Sequence, residues 1–166
     1  MKKFKIYCDM DDVLVDWKTN VTNFCENFWD IDDMEKRFFL LVKAGRKFWA
    51  SNPWTIDGKN LWKGINTYKP TLLSAAARGN FTVHEDVRNG KLDWIKNNLG
   101  YEFYKDAIIC HRKEKKLYSN SNSILIDDFE QNINEWEDNG GIGILHKSSD
   151  ETIEKLNSIV KEKIQC

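Results

Sequence analysis

The chain has 166 residues, a formal net charge of −1 and 13% aromatic residues, with seven Trp. That length suits one domain with room for a small insertion, and it can bury a real core. The near-neutral balance provides no basic field for tracking long nucleic acid, and no apolar run is long enough for a signal peptide or a membrane span. Cys8, Cys25, Cys110 and Cys166 form no C-x-x-C pair, so they read as reduced thiols of a cytoplasmic protein and not as a zinc site.

Residues 4–10 read as a first strand, nearly continuous in apolar content, as in a strand buried on both faces of a parallel sheet. Its end carries Asp9, Asp11, Asp12 and Asp16. At an effective dielectric of about 20, two unit charges 4 Å apart repel by about 4 kcal/mol. Such a cluster points to a hard divalent cation held by oxygen ligands. From Trp17 the period changes. Trp17, Val21, Phe24 and Phe28 recur at helical spacing, so 16–29 is predicted to be an amphipathic helix, with Asp16 as its N-cap. A second helix is predicted over 34–47, with Phe38, Leu41 and Val42 on one side. Residues 48–54 are a compact aromatic stretch closed by Asn52-Pro53, and 58–66 read as a short helix.

The sheet pattern then resumes. A short strand at 70–74 ends in Ser74, and 75–89 reads as a loop of no recognisable pattern. A helix over 91–98 is stopped by Gly100. Residues 106–110 form a strand, 111–118 a strongly basic connection, and 123–126 a strand ending in Asp127-Asp128. A helix over 129–139 ends at Gly140-Gly141, a strand covers 142–145, and a last helix covers 150–164, capped by Ser149 or Asp150. Short apolar strands alternating with helices predict an α/β fold, a Rossmann-like parallel sheet flanked by helices. Sites in such sheets lie beyond the carboxyl ends of the strands. Asp9/Asp11, Ser74 and Asp127/Asp128 all fall at such ends.

The segment Asp9-Met10-Asp11-Asp12-Val13-Leu14 resembles the first motif of the haloacid dehalogenase-like (HAD) superfamily, D-x-D-x-[TV]-[LV]. Ser74, a lysine of the 111–116 stretch, and Asp127-Asp128 are similar to its second, third and fourth motifs, in the same order and over nearly the whole chain. Asp127-Asp128-Phe129-Glu130-Gln131-Asn132-Ile133, with Trp136 and Gly140-Gly141-Ile142-Gly143, looks like the 5′(3′)-deoxyribonucleotidase branch and its phage and bacterial relatives.

The resemblance implies a catalytic core over 1–16 and 68–166, with a helical cap inserted after the first strand over 17–67. It implies a magnesium-dependent phosphomonoesterase of nucleotides. Asp9 would attack phosphorus, and Asp11 would serve as acid and base. Ser74 and the backbone N–H of Ala75 would bind a phosphate oxygen. Magnesium would be held by Asp9, Asp11 through its carbonyl, and Asp127 or Asp128, the pair being left open. Spacing to Asp127 favours Lys115 as the motif lysine, with Lys116 as the alternative; Lys91 is a third candidate, but reads more as a solvated helix start. Trp17, Phe48, Trp49 and Trp54 are candidates to stack on a nucleobase, although any one of them also suits a small cap core. Asp12 stands where the family commonly has Gly.

The expected partner is a small phosphomonoester, with no membrane and no long nucleic acid, and a homodimer stays open. A polynucleotide-end or sugar-phosphate phosphatase on the same core is the alternative enzyme. A non-catalytic nucleotide-binding module is the alternative outside catalysis.

Overall fold

In the computed structural model, which describes residues 4–76 and 84–162, five strands form one parallel sheet. The strands are β1 (Lys5–Cys8), β2 (Thr71–Ala75), β3 (Ile108–Cys110), β4 (Ser123–Asp127) and β5 (Ile142–Leu145). Their order is β3-β2-β1-β4-β5, so the connection direction reverses between β1 and β4. The register sets Cys8 against Leu72 on one side and Ile126 on the other. Alternation along the strands makes two apolar faces. Ile6, Cys8, Leu72, Ile124 and Ile126 pack with Leu61, Ile95 and Leu156 on one face. Tyr7, Leu73 and Leu125 pack with Ile133 and Trp136 on the other. The α/β class expected from the alternating pattern is the one observed.

The helices are α1 (Trp17–Phe24), α2 (Met34–Lys43), α3 (Gly45–Ala50), α4 (Gly58–Ile65), α5 (Glu85–Asn98), α6 (Tyr101–Tyr104), α7 (Glu130–Asp138) and α8 (Ser149–Glu162). Four of them lie between β1 and β2. Asp16 caps α1 by accepting from the Thr19 N–H at 3.0 Å. Asp33 caps α2 by accepting from the N–H groups of Glu35 and Lys36.

Several boundaries differ from the sequence pattern. The helix expected over 16–29 stops at Phe24 and is followed by a 3-10 turn, Phe28–Asp30. The one expected over 34–47 is two helices, because Gly45 takes φ +72°. The stretch read as loop at 75–89 already contains the first turn of α5; its residues 77–83 lie outside the described ones. The basic connection is a 3-10 helix, Arg112–Tyr118. Among the described residues no helix is long and apolar enough to cross a membrane.

Two close approaches hold the strand ends and the helices above them in place. The loop after β1 is tied down at Met10, whose carbonyl accepts from Leu14 and Val15 at 2.8 Å, while Asp16 N–H reaches Pro53 O at 2.9 Å. Helices α3 and α5 meet at Gly90, where a Cβ would lie 2.5 Å from the Arg46 carbonyl oxygen and would press on Trp49 Cβ. Arg46 also forks onto Asp93 with bonds of 2.6 and 2.8 Å, pinning the same pair of helices.

A glycine inside a helix normally gains about 1 kcal/mol on replacement by Ala. Overpacking against backbone costs about 1–3 kcal/mol. Gly90→Ala is therefore expected to be less stable than the parent in urea denaturation. A more stable variant would show that the α3–α5 seam yields easily.

Candidate active site

The site sits at the carboxyl ends of β1, β2 and β4, around the point where the strand order reverses. Asp9 follows β1, is buried, and donates its N–H to Ile126 O at 2.9 Å. Asp127 ends β4 and is fully buried. The Lys115 ammonium, 2% exposed, lies between them, 2.9 Å from Asp9 Oδ1 and 2.7 Å from Asp127 Oδ2. Burial alone would lower the Lys115 pKa, but Asp9 and Asp127 more than offset it and hold it above the ordinary lysine range. Lys115, not Lys116, is thus the lysine brought to the acids.

Asp127 is saturated with donors. It accepts from Lys115, from the Phe129 N–H at 3.0 Å, and from Asn132 Nδ2 at 3.0 Å on both of its oxygens. Asp128 receives none of these bonds. Burial, then the charges of Asp9, Asp127 and Asp12, push its carboxyl up to about 7. Burial and then Asp9 push Asp127 up to about 6, against Lys115. Oxygens of Asp9, Asp127 and Asp128 lie within 4.8 Å of one another. The Asp9 Oδ1 atom meets Lys115 outside the hydrogen-bonding direction and has no other donor. Three converging carboxylates with a single ammonium, one of their buried oxygens lacking a donor, fit a hard cation. Asp9 and Asp128 are the less committed of the three acids.

On the β2 side, Lys91 comes in from α5 and is 1% exposed. Its Nζ donates to Asp11 Oδ2 at 2.5 Å, to Ser74 Oγ at 3.0 Å and to the Ala75 carbonyl at 2.7 Å. It also lies 5.4 Å from the centre of the Trp49 ring. The reading of Lys91 as a solvated helix start is therefore corrected. Lys91, Leu92, Trp94 and Ile95 are all buried, so the helix turns this lysine inward with its apolar neighbours. Burial pulls the Asp11 carboxyl above the usual range, with Lys91 opposing it, and Asp11 Oδ1 has no partner.

Asp12 takes a left-handed φ of +58°, a conformation that glycine adopts without strain. Its carboxylate accepts from Trp17 Nε1 at 3.1 Å and meets Lys18 at 2.7 Å.

Next to Asp11 opens a cleft of about 330 Å³. Trp17, Trp49 and Ala75 line it, as do Trp29, Arg37 and Arg112, which the sequence pattern did not single out, and Phe28, which it placed only on a helix face. Phe48 and Trp54 do not line it. Phe48 is buried edge-on against Phe24 and Trp49, and Trp54 packs on Trp94 with its Nε1 bonded to Asn98 at 3.1 Å. Arg112 reaches back toward the acids. It donates to Asn132 Oδ1 at 2.9 Å and to Glu135 at 3.0 Å, so Asn132 links the cleft wall to Asp127.

No family model matches the chain, and no curated protein matches it. Among solved structures, a hydrolase from Streptococcus pneumoniae TIGR4 aligns over 97% of this chain and 100% of its own, at 13% identity and a TM-score of 0.47. A likeness at that level says nothing about activity.

The raised carboxyls of Asp127 and Asp128 bind protons more tightly in the folded chain than in the unfolded one, where the value is about 3.9. Between about pH 4 and pH 7 the folded protein holds the extra protons, so stability falls as pH rises through that window. The metal-free protein in chelator is expected to melt highest near pH 5 and several degrees lower at pH 8. Asp128→Asn should flatten that slope. A melting temperature that rises toward pH 8 would contradict the assignment.

Proposed function

We propose that the protein is a magnesium-dependent phosphomonoesterase of the HAD-like type, acting on nucleoside monophosphates, deoxynucleotides among them. The observation that carries this reading is the juxtaposition of two differently placed acids, Asp9 and Asp11, each with its own buried lysine, the second of them lining an aromatic cleft.

Asp9, balanced by Lys115, is the nucleophile. One of its oxygens bonds to phosphorus as the ester P–O bond breaks, giving an aspartyl-phosphate. Asp11 gives its proton to the leaving alkoxide. Its burial-raised pKa suits that task, and its unpartnered Oδ1 is free to carry the proton. In the second half, Asp11 as carboxylate takes a proton from water while the water oxygen attacks phosphorus. The acyl-phosphate bond then breaks, releasing phosphate and restoring Asp9. Ser74 Oγ, which accepts from Lys91 at 3.0 Å, has its hydroxyl hydrogen to give to a phosphoryl oxygen, and the Lys91 ammonium behind it adds positive charge. Magnesium, held by Asp9, Asp128 and the carbonyl of Asp11, supplies further positive charge to those oxygens when bound.

Residues 17–67 serve as the cap in this reading, with α4 seated on α8 through Gly64 against Ile153. Trp17 and Trp29 form the surfaces on which a base stacks, each such contact contributing about 1–3 kcal/mol, while the buried Trp49 backs the cleft. The free thiols of Cys8, Cys25 and Cys110 suit a cytoplasmic setting.

Asp9→Asn is expected to abolish magnesium-dependent phosphate release from dUMP and dTMP while the protein stays folded by circular dichroism. Retention of full activity would sink the reading. Lys91→Met is expected to lower kcat by about 10²-fold or more, the scale of a disabled acid–base group. An unchanged kcat would confine Lys91 to a packing role.

A further inference from the structure

The charged side chains that line the aromatic cleft are not evenly balanced. Asp11 is paired with Lys91, and Arg112 with Glu135. Arg37, from α2, has no carboxylate within ion-pair distance among the described residues. Its guanidinium is held by aromatic faces, 5.7 Å from the Phe28 ring centre and 5.9 Å from that of Trp29. One Nη2 hydrogen bond, 2.5 Å long, goes to the Trp29 carbonyl. Nη1 has only the Met34 sulfur, at 4.0 Å, and the buried Nε has no partner at all. A neutral cleft that needed only to stack a ring would have no use for a fixed cation with most of its donors unspent. A guanidinium in an apolar setting matches one ligand group best: an oxyanion, bound through paired N–H donors.

We infer that Arg37 is a specificity-determining residue that binds a second phosphate on the substrate, so the favoured substrate is a nucleoside bisphosphate and not a simple monophosphate. The inference rests on the reading of the cleft as the substrate site. The first phosphate occupies the end of the cleft at Asp11 and Ala75, the base lies against the indoles, and the second phosphate, carried on the same sugar, meets Arg37. Arg112 is not available for this task in the same way, because both of its terminal nitrogens are already engaged by Asn132 and Glu135.

The test compares thymidine 3′,5′-bisphosphate with thymidine 5′-monophosphate, which share base, sugar and 5′-phosphate. The wild-type kcat/KM for phosphate release should favour the bisphosphate by about tenfold or more, mostly through KM, the scale of one charge-assisted contact. Arg37→Met, which keeps an apolar stem against Phe28 and Trp29, should bring the ratio close to one. Arg37→Lys should restore part of it. A wild-type ratio near one, or a preference that survives in Arg37→Met, overturns the inference.

A second measurement separates this from the catalytic reading. Quenching of the cleft tryptophans by the same two compounds is followed in the Asp9→Asn background with magnesium present, with and without Arg37→Met. Arg37-dependent tighter binding of the bisphosphate, with no phosphate released by the wild type from either compound, would keep the second-phosphate site and remove the phosphatase. Equal binding of both compounds, with brisk phosphate release by the wild type, would do the reverse.

Discussion

The site depends on one ammonium. Lys115 stands between Asp9 and Asp127, at 2.9 and 2.7 Å, with almost no access to water. Each of these carboxylates would be expensive to bury alone, and side by side they would repel. Removing one partner from such a buried set typically costs about 3–5 kcal/mol, because the remaining charges are left uncompensated. Even with Lys115 in place the balance is incomplete, since Asp128 adds a third carboxylate and is driven toward its protonated form. A site tuned to that residual negative charge can accept a cation without first discarding a protein ligand.

Backbone pairing brings these groups together before any side chain is considered. Parallel pairing of β1 with β4 in the register Cys8–Ile126 puts the next residue of one strand beside the next residue of the other, and those residues are Asp9 and Asp127. The loop after β1 is closed by bonds to Met10 O and turned by the left-handed Asp12, so Asp11 faces β2 and not β4. Two acids two positions apart in sequence are thereby served by two different lysines.

The sequence is informative where chemistry coincides with strand ends. Asp9, Ser74 and Asp127 each terminate an apolar run, and the parallel sheet gathers such ends on one edge. Lys115 is separable from Lys116 only by its spacing to Asp127. Lys91 is easily misread because Gly90 and Asp93 around it look like a polar helix start, while the burying pattern runs through Leu92, Trp94 and Ile95. The aromatic residues are harder still. The helical phase resets at Gly45, so nothing in the periodicity of α2 says which of Phe48 and Trp49 faces the cleft. Arg37 and Arg112 belong to elements whose orientation is decided by packing across the molecule, and their short-range sequence carries no sign of it.

The seam at Gly90 has a mechanical consequence. Trp49 and Lys91 lie on opposite sides of it, one forming a cleft wall and the other holding Asp11 and Ser74. Backbone contact and the Arg46–Asp93 fork join those sides, so that wall and the groups beneath it form one jaw of the cleft. The opposite jaw is built of α1, α2 and the turn carrying Phe28 and Trp29, and is tied to the first by Trp49 Nε1, which donates to the Leu41 carbonyl at 3.3 Å. Arg37 rides on that jaw, so the grip on the far end of a ligand and the width of the entrance are set by the same piece of chain.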